Sequence, residues 1–213
     1  MATILSWQEQ SGTGVLERAV EVLAAGGIIA CPTETFYALM VDAFQEKALE
    51  RLMAIKGRPE DKALLVLVAG RPMVTRVASS IPPLAEKFMA WFWPGPLTVI
   101  VPARAGLPRQ LTGGTGTIGV RQSGHALARR LCARYGRPLT GTSANLSGRE
   151  PLIQAGQVQT ELGQVVDLIL DSGPCAGGLP STIVNVVREP ARLVRAGAIG
   201  VAELEKRLGT ILG

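Results

Sequence analysis

The sequence is poor in the residues from which most catalytic and metal centres are built. It has one histidine, His125, and three cysteines, Cys31, Cys132 and Cys175, which lie far apart and form no CxxC pair. Sites that need several histidine ligands are excluded, and a zinc centre is disfavoured. The odd, scattered cysteines fit a reduced intracellular protein with buried thiols better than a disulfide framework. A serine triad would have to use His125, yet this residue stands beside Gly124 at an expected helix start, and no nucleophile-elbow sequence occurs. A surface or capping histidine is the simpler role. No apolar run approaches the roughly 18 residues that a membrane helix needs, and the opening MATILSWQEQSG lacks a basic stretch followed by an apolar one. The expected location is therefore the cytoplasm, with no membrane association. A Walker sequence is also missing. Gly114 to Gly119 matches GxGxxG but precedes an expected strand, whereas a dinucleotide loop follows a strand and opens a helix.

Against these absences stands ample material for a core. Of 213 residues, 47% are hydrophobic and 18% charged, which suits one packed domain and argues against disorder. No internal repeat or Pro/Gly/Ser-rich linker divides residues 1–213. The 22 Lys plus Arg exceed the 17 Asp plus Glu, for a net charge of +5, a tilt that favours polyanionic partners such as nucleotides or RNA.

Hydrophobic periodicity alternates between the two regular structures. Leu16, Ala19, Val20 and Leu23 predict a helix ended by Gly26-Gly27, followed by a buried strand at 28–31. A helix at about 47–55 precedes the apolar run 64–68, and Leu84, Phe88, Trp91 and Phe92 form a helical stripe read as core, before a strand at 97–101. A strand at 118–121, a helix at about 125–135 and a strand at 139–142 come next. Strands at 165–170, 182–187 and 193–195 and a helix near 201–208 close the pattern. The expected fold class is α/β: a single domain with a twisted, mixed β-sheet flanked by helices, in which 182–187 and 193–195 pair antiparallel.

Two short patterns remain as candidates for chemistry, Lys56-Gly57-Arg58 and Ser143-Ala144-Asn145, with Lys62 close by. In extended backbone, side chains at i and i+2 point the same way, about 6 to 7 Å apart, so two such pairs can line one pocket. Lys offers a point charge, Arg a planar fork, and Ser and Asn neutral donors and acceptors suited to phosphate or ribose. Spacing alone leaves a second reading open, in which Lys56 and Arg58 are solvated cations at a helix C-terminus and Ser143 with Asn145 forms a turn.

Read in order, PTETFYAL at 32–39, KGRP at 56–59, WPGPLTVIV at 93–101, GVR at 119–121, TSANLSG at 142–148 and PSTIVNV at 180–186 resemble the YrdC family. The resemblance runs from about Leu16 to Ile199. It implies the YrdC-like fold and a threonylcarbamoyl-AMP synthase of the short form. Such an enzyme joins L-threonine, bicarbonate and ATP into threonylcarbamoyl-adenylate and pyrophosphate, the route to threonylcarbamoyladenosine in tRNA.

Lys56, Arg58, Ser143 and Asn145 would then form the catalytic polar set. Lys56, Arg58, Lys62, Thr117, Ser143, Asn145 and Arg195 would hold ATP, with Mg²⁺ accompanying its phosphates. Thr33, Thr35, Arg121, Gly141 and Ser181 would hold threonine, Arg121 pairing with its carboxylate. No protein-bound metal is expected, and a separate transferase complex would receive the product. Two positions depart from the family pattern: Ala38 where glycine is common, and Leu67 where longer members carry histidine. Arg130, Arg134 and Arg137, at i, i+4 and i+7, would form a basic stripe beside the cleft, open to tRNA or double-stranded RNA or simply solvated. The competing hypothesis is an RNA-binding or ribosome-associated module with the same fold.

Overall fold

The computed structural model describes residues 1–9, 13–57 and 62–208. The chain opens with β1 (Thr3–Ser6), α1 (Thr13–Ala24), β2 (Ile29–Pro32), β3 (Tyr37–Met40) and α2 (Glu46–Lys56). It continues through β4 (Val66–Leu67), α3 (Arg71–Val74), α4 (Pro83–Phe92), β5 (Leu97–Pro102), α5 (Arg109–Thr112) and β6 (Thr117–Arg121). Then come α6 (Ala126–Tyr135), β7 (Leu139–Thr140), β8 (Thr142–Ser143), α7 (Ala155–Leu162), β9 (Leu168–Asp171), β10 (Thr182–Asn185), β11 (Arg192–Arg195) and α8 (Val201–Leu208).

The mixed α/β architecture is as expected, but the hydrogen-bond ladder is divided into two sheets. One has five strands in the order β1-β9-β2-β3-β8, and the other six in the order β11-β10-β5-β6-β4-β7. Both mix parallel and antiparallel pairs, and β10 and β11 pair antiparallel as expected. The apolar run 139–142, read as one strand, is cut in two at Gly141. β7 pairs with β4 in the second sheet, whereas β8 pairs with β3 in the first. Gly141 is thus the point at which the chain passes from sheet to sheet.

Strands β2 and β3 are buried on both faces, which explains why their sequences are apolar without alternation. Ile29, Cys31, Ala38 and Met40 face a core with Leu23 of α1 and Leu127 and Leu131 of α6. Ala30, Tyr37 and Leu39 point the other way, into a larger core that includes Leu49 and Leu52 of α2, Phe88 of α4 and Val99 of β5. The three cysteines are buried and unpaired. Burial pushes Cys132 up to about 12 and Cys175 up to about 11, so neither is a thiolate nucleophile at neutral pH.

Three sequence expectations are corrected. Trp91 is not core: it is 55% exposed, because the buried face of α4 runs through Leu84, Ala85, Phe88, Met89 and Phe92, and 91 falls to its side. Arg207 of α8 stacks over its ring, 4.9 Å from the centroid. Arg130, Arg134 and Arg137 do not present an uncompensated basic stripe. They meet Glu9 at 2.7 Å, Glu17 at 3.8 Å and the fully buried Asp42 at 3.1 Å. His125 is half-buried at the start of α6 and its side chain caps nothing. Its Nε2 lies 3.3 Å from the Ser172 hydroxyl, Nδ1 is buried without a partner among the described residues, and burial lowers its pKa.

Candidate functional site

A cavity of about 350 Å³ opens where the two sheets meet. Its wall is supplied by the turn before β3, by β5, β6 and β10, by the chain leading into β4, and by Gly141 with β8. Thr33, Thr35, Thr117, Arg121, Gly141, Ser143, Ser181 and Arg195, chosen from five separated sequence segments, all line it. Lys56 and Asn145 lie directly behind Ser143. Lys62 is exposed next to Ala63, which lines the wall. Arg58 lies outside the described residues.

The threonines at the turn differ in what they do. Thr33 Oγ1 donates to the Phe36 carbonyl at 2.7 Å and accepts the backbone N–H groups of Thr35 at 3.2 Å and Phe36 at 3.3 Å. Its hydroxyl therefore closes the turn. Thr35 Oγ1 sits 3.1 Å from Thr33 Oγ1 and 3.5 Å from Arg121 Nη2, on the cavity wall.

Arg121 ends β6 with only 5% of its surface exposed. Its Nη2 forms an ion pair with Glu34 Oε1 at 2.8 Å, while its buried Nε has no hydrogen-bond partner among the described residues. Burial would raise the Glu34 carboxyl. Arg121, the Gly124 N–H and the Ser123 hydroxyl outweigh burial and hold it below the usual carboxylate range. Glu34 is the residue beside this site that sequence reading missed. The available signal was its position as the one carboxylate in PTETFYAL, between two threonines already selected.

On the opposite wall, Arg195 is fastened to Ser181 from β11. Its Nη2 donates to Ser181 Oγ at 3.0 Å and to the Ser181 carbonyl at 2.8 Å, which Nε also reaches at 3.1 Å. Ser181 Oγ in turn lies 3.0 Å from Thr98 Oγ1. The hydroxyl of Thr117 meets that of Thr115 at 2.8 Å.

Lys56 and the Ser143–Asn145 pair are close, but not in the way that extended backbone implies. Lys56 is the last residue of α2, and Gly57 leaves the helix in the left-handed conformation at φ 51°, which glycine adopts without a Cβ penalty. Ser143 ends β8, and the backbone turns at once, with Asn145 N–H reaching the Ser143 carbonyl at 3.1 Å. The turn draws Ser143 Oγ to 2.7 Å from Asn145 Oδ1. Lys56 Nζ, 5% exposed as a residue, donates to the Ser143 carbonyl at 2.8 Å and to the Asn145 carbonyl and Oδ1, both at 2.6 Å. Those three acceptors match the three N–H groups of an ammonium. Lys56 therefore braces the turn that presents Ser143 to the cavity.

Gly141 has a steric rather than a conformational reason to be glycine. A Cβ there would lie 2.7 Å from Leu65 Cδ1 and 2.8 Å from Leu67 Cγ, both on side chains that line the cavity. Gly141→Ala is expected to cost about 1–3 kcal/mol of stability through overpacking and to push the leucines into the cavity. A fall in the thermal midpoint together with a raised KM for the small substrate would show both effects.

The chemistry available is that of a cavity with polar walls and an apolar floor. Its walls carry two arginines and several hydroxyls around an apolar floor of Leu65, Leu67, Ile100 and Ile183. Ala38 and Leu67, where the sequence departs from the family pattern, both face this space. No group of three or more His, Cys, Asp or Glu side chains converges among the described residues. No helix there is long and apolar enough to cross a membrane.

These features define a mixed α/β protein with a composite polar cavity at a sheet junction. The chain belongs to the Sua5/YciO/YrdC family: the family model described as "Telomere recombination" matches residues 21–197. It is 34% identical over 211 residues to a threonylcarbamoyl-AMP synthase of Pyrococcus abyssi, covering 99% of this chain and 62% of that protein. It is 39% identical over 161 residues to a threonylcarbamoyl-AMP synthase of Idiomarina loihiensis, covering 75% of this chain and 87% of the relative. The crystal structure of P. abyssi Sua5 complexed with L-threonine superposes with a TM-score of 0.94 at 33% identity, over 99% of this chain and 62% of that one. The chain thus spans less than two thirds of the archaeal relative and most of the bacterial one.

Proposed function

We propose that this chain is a threonylcarbamoyl-AMP synthase, converting L-threonine, bicarbonate and ATP to threonylcarbamoyl-adenylate, pyrophosphate and water. One domain spanning 1–213 carries the activity. The observation that carries the reading is Arg121: a buried guanidinium on the cavity wall whose Nε has no partner among the described residues, beside the Thr35 hydroxyl. A buried donor of that kind favours a carboxylate ligand, which accepts in the plane of the fork.

Threonine occupies the wall formed by Thr35, Arg121, Gly141 and Ser181, with Thr33 shaping the turn. Its amine condenses with bicarbonate to a carbamate and releases water. A carbamate oxygen then attacks the α-phosphorus of ATP, the bond to the β-phosphate oxygen breaks, and pyrophosphate leaves. No covalent nucleophile on the protein is required. The residues have electrostatic work to do, because negative charge builds on the phosphate oxygens as the leaving group departs. Ser143, held in place by Asn145 and Lys56 behind it, faces those oxygens, and Lys62, Arg58 and Arg195 add positive charge and donors. Thr117 contacts the nucleotide. With no carboxylate cluster among the described residues, Mg²⁺ enters as part of the ATP substrate, held by its phosphates.

A reduced cytoplasmic setting fits the unpaired cysteines. The labile adenylate passes to a separate transferase complex that acts on tRNA. The alternative of an RNA-binding or ribosome-associated module is less favoured, since Arg130, Arg134 and Arg137 each have a carboxylate within 4 Å. The deciding assay is pyrophosphate release from ATP with threonine and bicarbonate each omitted in turn, followed by mass spectrometry of the adenylate. Release must require both, and the product must carry the threonyl group. Release that is indifferent to either substrate defeats the proposal.

A further inference from the structure

Arg121 has a long side chain with many rotamers, and at a cavity wall nothing in its own strand fixes where the guanidinium points. The neighbours that fix it come from elsewhere in the chain. Thr33 and Thr35 line the cavity, whereas Glu34, between them, lies behind it. There, Glu34 Oε1 sits 2.8 Å from Arg121 Nη2 without linear hydrogen-bond geometry, an ion pair that leaves the guanidinium's other donors uncommitted to it.

Glu34 is itself held from the far side. The Ser123 hydroxyl donates to its Oε2, and Ser123 Oγ accepts the His125 N–H at 3.1 Å, which commits the hydroxyl proton to the carboxylate. The Gly124 N–H at the start of α6 also binds the carboxylate. A Cβ on Gly124 would lie 3.3 Å from both Glu34 Cγ and Cδ, so glycine permits this close seat. A continuous relay of contacts therefore runs from the beginning of α6 through Glu34 to a guanidinium on the cavity wall.

We infer that Glu34 is a positioning residue for the amino-acid subsite: anchored by Ser123 and Gly124, it aims the Arg121 guanidinium so that its remaining donors meet the substrate carboxylate. Glu34 does not touch the substrate. The inference rests on the assignment of Arg121 to the threonine carboxylate made above. Because Arg121 and Glu34 together are neutral, the pair also keeps a buried cation compensated before the amino acid enters.

The test separates the two substrates. KM for threonine and KM for ATP are measured for the wild-type chain, Glu34→Ala and Glu34→Gln, with thermal midpoints as a control on folding. A positioning role predicts a threonine KM raised about tenfold or more in Glu34→Ala and by a smaller factor in Glu34→Gln, whose amide oxygen still faces Nη2. The KM for ATP stays within about twofold in both, since uniform loss of structure would move the two constants together. A threonine KM at the wild-type value in Glu34→Ala overturns the inference, and so does an equal rise in both constants. If Glu34→Ala does not fold, Glu34→Gln decides: a threonine KM within about twofold of wild type overturns the inference, and a selective rise supports it. Wild-type pyrophosphate release that needs no threonine defeats the underlying substrate assignment instead, before any variant is compared.

Discussion

Arg121→Ala is expected to lower threonine-dependent pyrophosphate release by about a thousandfold, equivalent to about 4 kcal/mol of transition-state stabilisation. Two losses combine. The substrate carboxylate forfeits its charged fork, and Glu34, whose side chain is 19% exposed, keeps a negative charge with no cation opposite. The second loss is read in stability: breaking a buried pair by deleting one partner costs about 3–5 kcal/mol, a large part of a domain's margin. Adding Glu34→Gln to Arg121→Ala removes the orphaned charge, so the double variant regains stability while remaining inactive. Thermal unfolding of the three proteins beside the pyrophosphate assay separates these contributions. An Arg121→Ala protein with wild-type turnover would remove the central residue of the site.

The same pair sets a pH dependence. The carboxyl of Glu34 titrates below its ordinary range in the folded protein, because Arg121 and the Gly124 and Ser123 donors outweigh burial. The unfolded chain therefore binds a proton at a higher pH than the folded chain does. Stability from this group is present above the ordinary glutamate pKa and declines as pH falls through the lower folded-state value. In Arg121→Ala the principal cation is gone and burial is opposed only by the Gly124 and Ser123 donors, so this acid-side loss of stability becomes smaller.

Lys56→Met is expected to slow pyrophosphate release about a hundredfold, with a smaller effect on threonine KM. Methionine fills similar volume but leaves the Ser143 and Asn145 carbonyls and Asn145 Oδ1 without the donor that now reaches them at 2.6–2.8 Å. Each buried acceptor left unsatisfied costs about 1–3 kcal/mol, and the turn relaxes to regain partners. Amide exchange at residues 142–146 should quicken in step with the lost activity. Arginine is a poor replacement, since a planar guanidinium cannot direct three donors onto three oxygens that converge on a single point. Unchanged exchange together with unchanged turnover would mean that Lys56 does not organise the phosphate wall.

Much of the fold could be read from hydrophobic spacing. Helices α1, α2 and α6 were visible because their buried faces recur with the helical period, β2 because a short apolar run follows the Gly26-Gly27 stop, and the antiparallel β10–β11 pair because its two runs lie close together in sequence. Strand β3 was not: Tyr37 to Met40 is buried on both faces, so it has neither alternation nor helical spacing. Trp91 misled because an i+7 position lies about 20° from i, and Leu84 already stands at the margin of the buried face, so Trp91 falls just beyond it toward solvent.

The candidate site divides in the same way. Its residue types could be taken from the chain, and eight of the selected positions line one cavity. Their roles depend on direction, which spacing could not supply. Lys56 stands at the end of a helix rather than in a strand, and its ammonium faces two carbonyls and an amide from residues 143–145.

Composition and local order by themselves determined a packed α/β chain with no histidine-rich metal centre, no Walker or Rossmann loop, and polar motifs suited to a phosphorylated substrate. Those properties follow from which side chains are present and from their period along the backbone. Tertiary structure alone decided that the ladder splits into two sheets at Gly141, that Arg121 is paired with Glu34, and that Arg130, Arg134 and Arg137 each meet a carboxylate. Each depends on segments distant in sequence being brought within hydrogen-bond range, and no local period encodes which charge will meet which.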